Sequence, residues 1–292
     1  KLSGVWIMAY TNIDDPSVHF QIALHAGAAG ATITNDGNSD LKPDLLWSKA
    51  RGAAHNHGLY DSTRGVTKLI ESNTTTAENT ASAGFDLTSF NTDGFSTGNN
   101  QFNTICGGTT YVAWQWKANG GTTTAFSESG NNPGGTYQAN TTAGFSIVTY
   151  TGTGAAGTVT HGLGVAPKLI IIKNRDVADP WAVYYGDATD YLVLNTTAAT
   201  VDNAAWWNDT APSSTVFTVN TDHSVNADGE TYVAYAFAEV QGYSKFGSYV
   251  GNGNVNGPMV YLGFKPAVII LKQTNTTGNW HIIDNKRSAS GG

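Results

Sequence analysis

Apolar residues along this chain come in short bursts separated by glycine, asparagine, aspartate and threonine. Several bursts alternate with period two, the spacing that lays one face of a strand on a core. In 110–116, Val112, Trp114 and Trp116 share a face; in 231–237, Val233, Tyr235 and Phe237 do the same. The run 169–172 is apolar without alternation, which predicts a strand covered on both faces. No stretch keeps a helical period over three turns. Strand signals spaced by roughly eight to twelve residues, with turn residues between them, predict an all-β antiparallel fold rather than βαβ units.

The pattern also recurs. Pro43, Pro167 and Pro266 each open a short apolar run, and at one fixed offset stand Lys49, Lys173 and Lys272. A further fixed step gives His57, Trp181 and Trp280. Tyr111-Val-Ala-Trp114 returns as Tyr232-Val-Ala-Tyr235, and 242–253 repeats the layout of 144–154. Internal repeats of this kind predict one supersecondary unit used more than once. The expected organisation is an N-terminal strand or arm at 1–17, a β-sandwich unit A at 18–118, and a Gly/Thr/Asn-rich connection at 119–143. Unit B then spans 144–241 and a partial unit C spans 242–292. The units read as tandem antiparallel β-sandwiches of jelly-roll or lectin-like type, the last one incomplete. A chain of 292 residues is long enough for two such cores.

Composition narrows the partners. Charged residues make up 13% and the net charge is -7, which argues against nucleic acid and against an anionic membrane surface. Cys106 is the single cysteine, so no internal disulfide can form. No apolar run approaches the roughly 18 residues that cross a bilayer. The chain starts at Lys1 without methionine, which reads as a processed chain or a piece of a longer one.

Candidate chemistry is sparse. His55 and His57, near Asp61, have the spacing that puts two rings on one strand face, as metal sites do. The same slot holds Trp181 and Trp280 in the other units, so packing explains His57 more simply, and no metal or other cofactor is expected. The acid pairs Asp187/Asp190 and Asp222/Asp228 have no counterpart in unit A, and no catalytic residue is assigned. Lys49/Arg51 and Lys173/Arg175 are expected to pair with Asp61, and with Asp187 or Asp176. Trp206 and Trp207, followed by Asn208 and Asp209, have the composition of a sugar-stacking platform; the plainer reading is packing. Asn-x-Ser/Thr triplets at Asn73, Asn140, Asn195, Asn208 and Asn275 are as frequent as abundant threonine would give by chance.

Residues 144–154, His161-Gly-Leu-Gly164, 166–175, Trp181-Ala-Val-Tyr184 and 232–237 together resemble a repeated domain of unknown function. That domain is found in tail-fibre and other virion structural proteins of marine and aquatic bacteriophages, cyanophages among them. The resemblance is close in unit B, looser in unit A, and brings no catalytic residues. It implies a non-enzymatic structural component of a virion surface or fibre, outside the host cell. Expected partners are copies of itself and other virion proteins, with no nucleic acid and no membrane. The alternative is a carbohydrate-binding adhesin on the same scaffold; a polysaccharide depolymerase would need a clustered acid pair. An incomplete unit C would leave Val268, Ile270 and Trp280 short of a core, and Val5, Trp6 and Ile7 have the pattern of a strand that could cover them in assembly.

Overall fold

A computed structural model describes residues 11–287 and is all-β apart from single helical turns. The N-terminal part holds nine strands: β1 (Phe20–His25), β2 (Thr32–Ile33), β3 (Leu45–Ala50), β4 (Gly58–Asp61), β5 (Lys68–Glu71), β6 (Asn79–Thr80), β7 (Leu87–Phe90), β8 (Phe95–Thr97) and β9 (Tyr111–Trp116). The middle part contains β10 (Thr124–Phe126), β11 (Gly135–Asn140), β12 (Phe145–Thr151), β13 (Gly157–Thr160), β14 (Leu169–Asn174), β15 (Ala182–Tyr184), β16 (Asp190–Val193) and β17 (Val201–Asp202). It continues through α1 (Ala204–Trp207), β18 (Val216–Val219), α2 (His223–Asn226) and β19 (Thr231–Phe237). A hairpin, β20 (Val268–Leu271) and β21 (His281–Asp284), ends the described chain.

The two large sheets run in the same order. The first is β1-β9-β3-β4-β5-β6, and the second, beyond β10-β11, is β12-β19-β14-β15-β16-β17. Their registers agree as well. Leu45, Trp47 and Lys49 face Trp116, Trp114 and Val112; Leu169, Ile171 and Lys173 face Phe237, Tyr235 and Val233. The step from β3 to β4 pairs Trp47 with Leu59, the step from β14 to β15 pairs Ile171 with Val183, and the hairpin pairs Ile270 with Ile282. A small sheet accompanies each: β2-β8-β7 in the first case, β13-β18 in the second.

Because side chains alternate across a strand, each large sheet can feed two cores. Leu46, Tyr60, Leu69 and Ala113 point away from the second sheet and pack with Phe95 and Leu87 of the small sheet. Ile170, Ile172, Tyr150 and Tyr232 do likewise with Val159, Phe217, Trp206 and Trp207. The opposite faces meet each other. Leu45, Trp47, Val112 and Trp114 form one cluster with Ile147, Ile171, Val183 and Tyr235. The result is not two sandwiches side by side, each closed on its own core. The large sheets share a core, and that is why 169–172 shows no alternation. Val268, Ile270, Trp280 and Ile282 of the hairpin pack against the same cluster as a third wall.

Two stretches differ from the sequence reading. Residues 119–143 are no irregular connection: β10 and β11 add two strands to the second sheet through the β11–β12 pairing. The stretch 245–267 carries no strand, although its first part matches the opening strand of unit B. The expected N-terminal strand with Val5, Trp6 and Ile7 lies outside the described residues.

Candidate functional site

Trp206 and Trp207 sit on α1, a single turn that starts where the Asn203 side chain accepts from the Ala205 N–H. The turn ends at Asn208, in the left-handed region at φ 52°. Both indoles are buried. Trp206 stacks on Tyr191 with centroids 3.7 Å apart, and Trp207 meets Tyr184 edge-on. A sugar platform needs an open ring face, and neither indole presents one. Asn208 and Asp209 remain exposed, but without the rings they flank no stacking surface.

The histidine pair does not assemble a metal site; among the described residues no group of three or more His, Cys, Asp or Glu could hold an ion. The His57 N–H donates to Asn73 Oδ1 at 2.8 Å, and burial together with Lys49 lowers its pKa to about 4. Cys106 is buried as well; burial and Asp86 push its thiol up to about 12, so it is no nucleophile.

The most elaborate polar structure lies where the sheets meet. Asp61 ends β4 and accepts from the Thr63 and Arg64 N–H groups. Arg64 Nε returns to Asp61 Oδ2 at 2.5 Å, with both side chains fully buried. From the second sheet, the Tyr235 hydroxyl donates to the same carboxylate oxygen at 2.8 Å, and Arg64 Nη2 donates to that hydroxyl. Glu78 accepts from Arg64 and, at 2.9 and 3.0 Å, from Arg175 of the second sheet. Burial works to lower the Arg64 pKa, but Asp61, Tyr235 and Glu78 outweigh it and hold the guanidinium firmly protonated. Burial likewise works to raise the Glu78 pKa, and Arg175 with Arg64 brings it below the usual value. The expected Lys/Arg pairings are therefore corrected. Asp61 is taken by Arg64, Arg175 bridges to Glu78, and the buried Lys173 ammonium donates to the Asn174 and Val177 carbonyls.

A second clamp copies the first. Asp284 ends β21 as Asp61 ends β4; it accepts from the Lys286 and Arg287 N–H groups, and Arg287 Nε reaches Asp284 Oδ2 at 2.6 Å. Trp114 takes the part of Tyr235: its Nε1 donates to Asp284 Oδ2 at 3.1 Å, and the Arg287 guanidinium lies over its ring at 5.0 Å. Both incoming aromatics stand opposite the central residue of their neighbour strand, Trp47 or Ile171. The sequence signal of both clamps is the Asp-x-x-Arg spacing, Asp61 to Arg64 and Asp284 to Arg287, which lies outside the proline-anchored runs.

Tryptophan hydrogen bonds follow the same cyclic order. Trp181 of the second sheet donates to the Glu71 carbonyl of the first at 3.0 Å. Trp280 of the hairpin donates to the Val193 carbonyl of the second, also at 3.0 Å. Glu71 and Val193 hold equivalent positions, paired with Gly58 and Ala182. Trp280 is thus half-buried and tied down, not stranded.

These groups are arranged to join walls. The carboxylates and guanidinia are satisfied by each other. Among the described residues no helix is long and apolar enough to cross a membrane. No curated protein and no solved structure matches the chain. A family model described as a domain of unknown function, DUF7483, matches residues 15–292, and the chain belongs to that family.

Proposed function

We propose that the protein is a non-enzymatic structural component of a virion surface or fibre, built by repeating one β unit and associating with copies of itself. The matching strand orders and registers support the repeat. The observation that carries the assembly reading is the outer face of the third wall. Outer faces of the two large sheets are covered by small sheets, whereas Ile269 and Ile283, paired across the hairpin, are 37% and 48% exposed. Val250, Val255, Met259 and Tyr261 are exposed as well, along the strandless stretch that precedes the hairpin. So many large apolar side chains left in solvent on one part of the chain support a contact with another macromolecule.

The expected result is concentration-dependent association of the full chain in light scattering and electron microscopy. The double variant Ile269→Lys, Ile283→Lys should remain monomeric at an unchanged melting temperature. A parent chain that stays monomeric at high concentration would contradict the assembly reading. The adhesin reading keeps one support: Tyr249 and Tyr261 flank exposed Asn252, Asn254 and Asn256, aromatic and amide groups that suit a glycan. A glycan array with Tyr249→Ala and Tyr261→Ala variants separates the two readings.

A further inference from the structure

Where the chain leaves β9 for the second sheet, a further polar group lies between the sheets, apart from the clamps. Asp44, just before β3, and Gln138, on β11, are both buried. Ser62 follows β4, and its hydroxyl donates to Asp44 Oδ1 at 2.6 Å. Gln138 Nε2 donates to Ser62 Oγ at 2.8 Å and to Thr63 Oγ1 at 2.6 Å. The loop 118–121 divides its N–H groups between the two buried side chains. Those of Ala118 and Gly120 go to Asp44 Oδ2 at 2.7 and 2.8 Å. Those of Asn119 and Gly121 go to Gln138 Oε1 at 3.2 and 3.0 Å. Gly120 and Gly121 stand at φ 66° and 88°, the left-handed region that lets the loop turn its N–H groups this way.

These are the parts of an acyl transfer. A hydroxyl hydrogen-bonded to a carboxylate is a nucleophile beside its base. Two backbone N–H groups on one carbonyl oxygen stabilise the negative charge that forms there when the carbon is attacked. The carboxamide of Gln138 lies between the two.

We propose that the Ser62 and Gln138 side chains react with each other to form an ester, a covalent link between the two large sheets. The Ser62 oxygen lies along an N–H of the amide, and a tilt about the Gln138 Cγ–Cδ bond turns the face of Cδ towards it. Oγ attacks Cδ, and its proton passes to Asp44. Oε1 carries the charge of the tetrahedral intermediate against the Asn119 and Gly121 N–H groups. The Cδ–Nε2 bond then breaks, Asp44 returns the proton to the departing nitrogen, and ammonia leaves past exposed Asn119. One Oγ–Cδ bond replaces one Cδ–Nε2 bond, with no change of oxidation state. Burial of Gln138 keeps water from competing for the carbonyl carbon. Ser62 rather than Thr63 is the nucleophile, because among the described residues no carboxylate accepts from the Thr63 hydroxyl. The step occurs once per chain, and it goes beyond the structural role proposed above without depending on self-association.

The test is mass spectrometry of the full chain, kept folded after purification. The intact mass should fall below that of the sequence by one ammonia, and a digest should join the peptide holding Ser62 to the one holding Gln138. Hydroxylamine under denaturing conditions should cleave that link. Ser62→Ala and Asp44→Asn, with folding checked by circular dichroism, should show no loss of ammonia, while Thr63→Val should keep it. The measurement on the parent chain needs no variant to fold. A parent at its full sequence mass would mean that Ser62, Asp44 and Gln138 form a hydrogen-bonded tie only, and would overturn the proposal. An ammonia loss that maps to other peptides, or that persists between the same two in Ser62→Ala, would overturn it as well.

Discussion

Asp61 shows how much one residue can hold. It caps its own turn, fixes a fully buried guanidinium, and receives a hydroxyl from the opposite sheet. Replacing it by alanine leaves the buried Arg64 with one of its two carboxylate partners, Glu78, a change that costs about 3–5 kcal/mol. Tyr235→Phe removes only the hydroxyl and should cost about 1–2 kcal/mol, because Arg64 still satisfies the carboxylate. Chemical denaturation of the two variants checks the ratio; equal losses would mean that the clamp does not depend on the carboxylate. Acid should act through a different set of residues. Burial lowers His25 to about 4, and burial with Lys49 does the same for His57. The unfolded chain protonates histidine near pH 6.5 and so binds more protons in that window. Stability is therefore full above about pH 6.5 and falls as the pH drops towards 4. His25 Nε2 is buried without a partner between Phe95 and Tyr111. His25→Phe should thus flatten the pH dependence of the melting temperature, and an unchanged slope would count against this origin.

At the scale of elements, the hairpin is the weakest wall. It touches the shared core through Val268, Ile270, Trp280 and Ile282, all only partly buried, and its fixed points include Trp280 to Val193, Trp114 to Asp284, Arg287 over Trp114, and Lys286 to Asp36. Trp280→Ala should therefore release β20 and β21 to hydrogen exchange while leaving β3 and β14 protected. Loss of protection throughout the large sheets would show that the hairpin is integral to them. The sequence made most of these strands legible because period-two alternation is a local signal, as in β9 and β19. Lys49 and Lys173, at one offset from Pro43 and Pro167, stand at matching places in their sheets, opposite Val112 and Val233. What local pattern could not show is where each second face goes. Whether Ile171 meets a small sheet or another unit is decided by residues far away in the chain. The tryptophan pair was misleading for the same reason: polar neighbours on either side suggested exposure, while Tyr191 and Tyr184 cover the rings from other strands.

For the whole molecule, the shared core makes the two large sheets depend on each other. Independent tandem sandwiches would tolerate separation. Here, cutting after residue 118 would expose Phe145, Ile147, Ile171, Val183 and Tyr235 on one sheet and Leu45, Trp47, Val112 and Trp114 on the other. Fragment 119–292 alone should be aggregated or molten, since an uncovered apolar sheet face associates. The clamp of Asp61, Arg64 and Glu78 with Tyr235 and Arg175 ties the same two sheets together, so the two should unfold as one body. Scanning calorimetry of the full chain tests this most directly. The shared core predicts a single transition over the two large sheets, with calorimetric and van't Hoff enthalpies in agreement, and a common downward shift for Asp61→Ala. Two separable transitions, with only the first moved by that substitution, would contradict it.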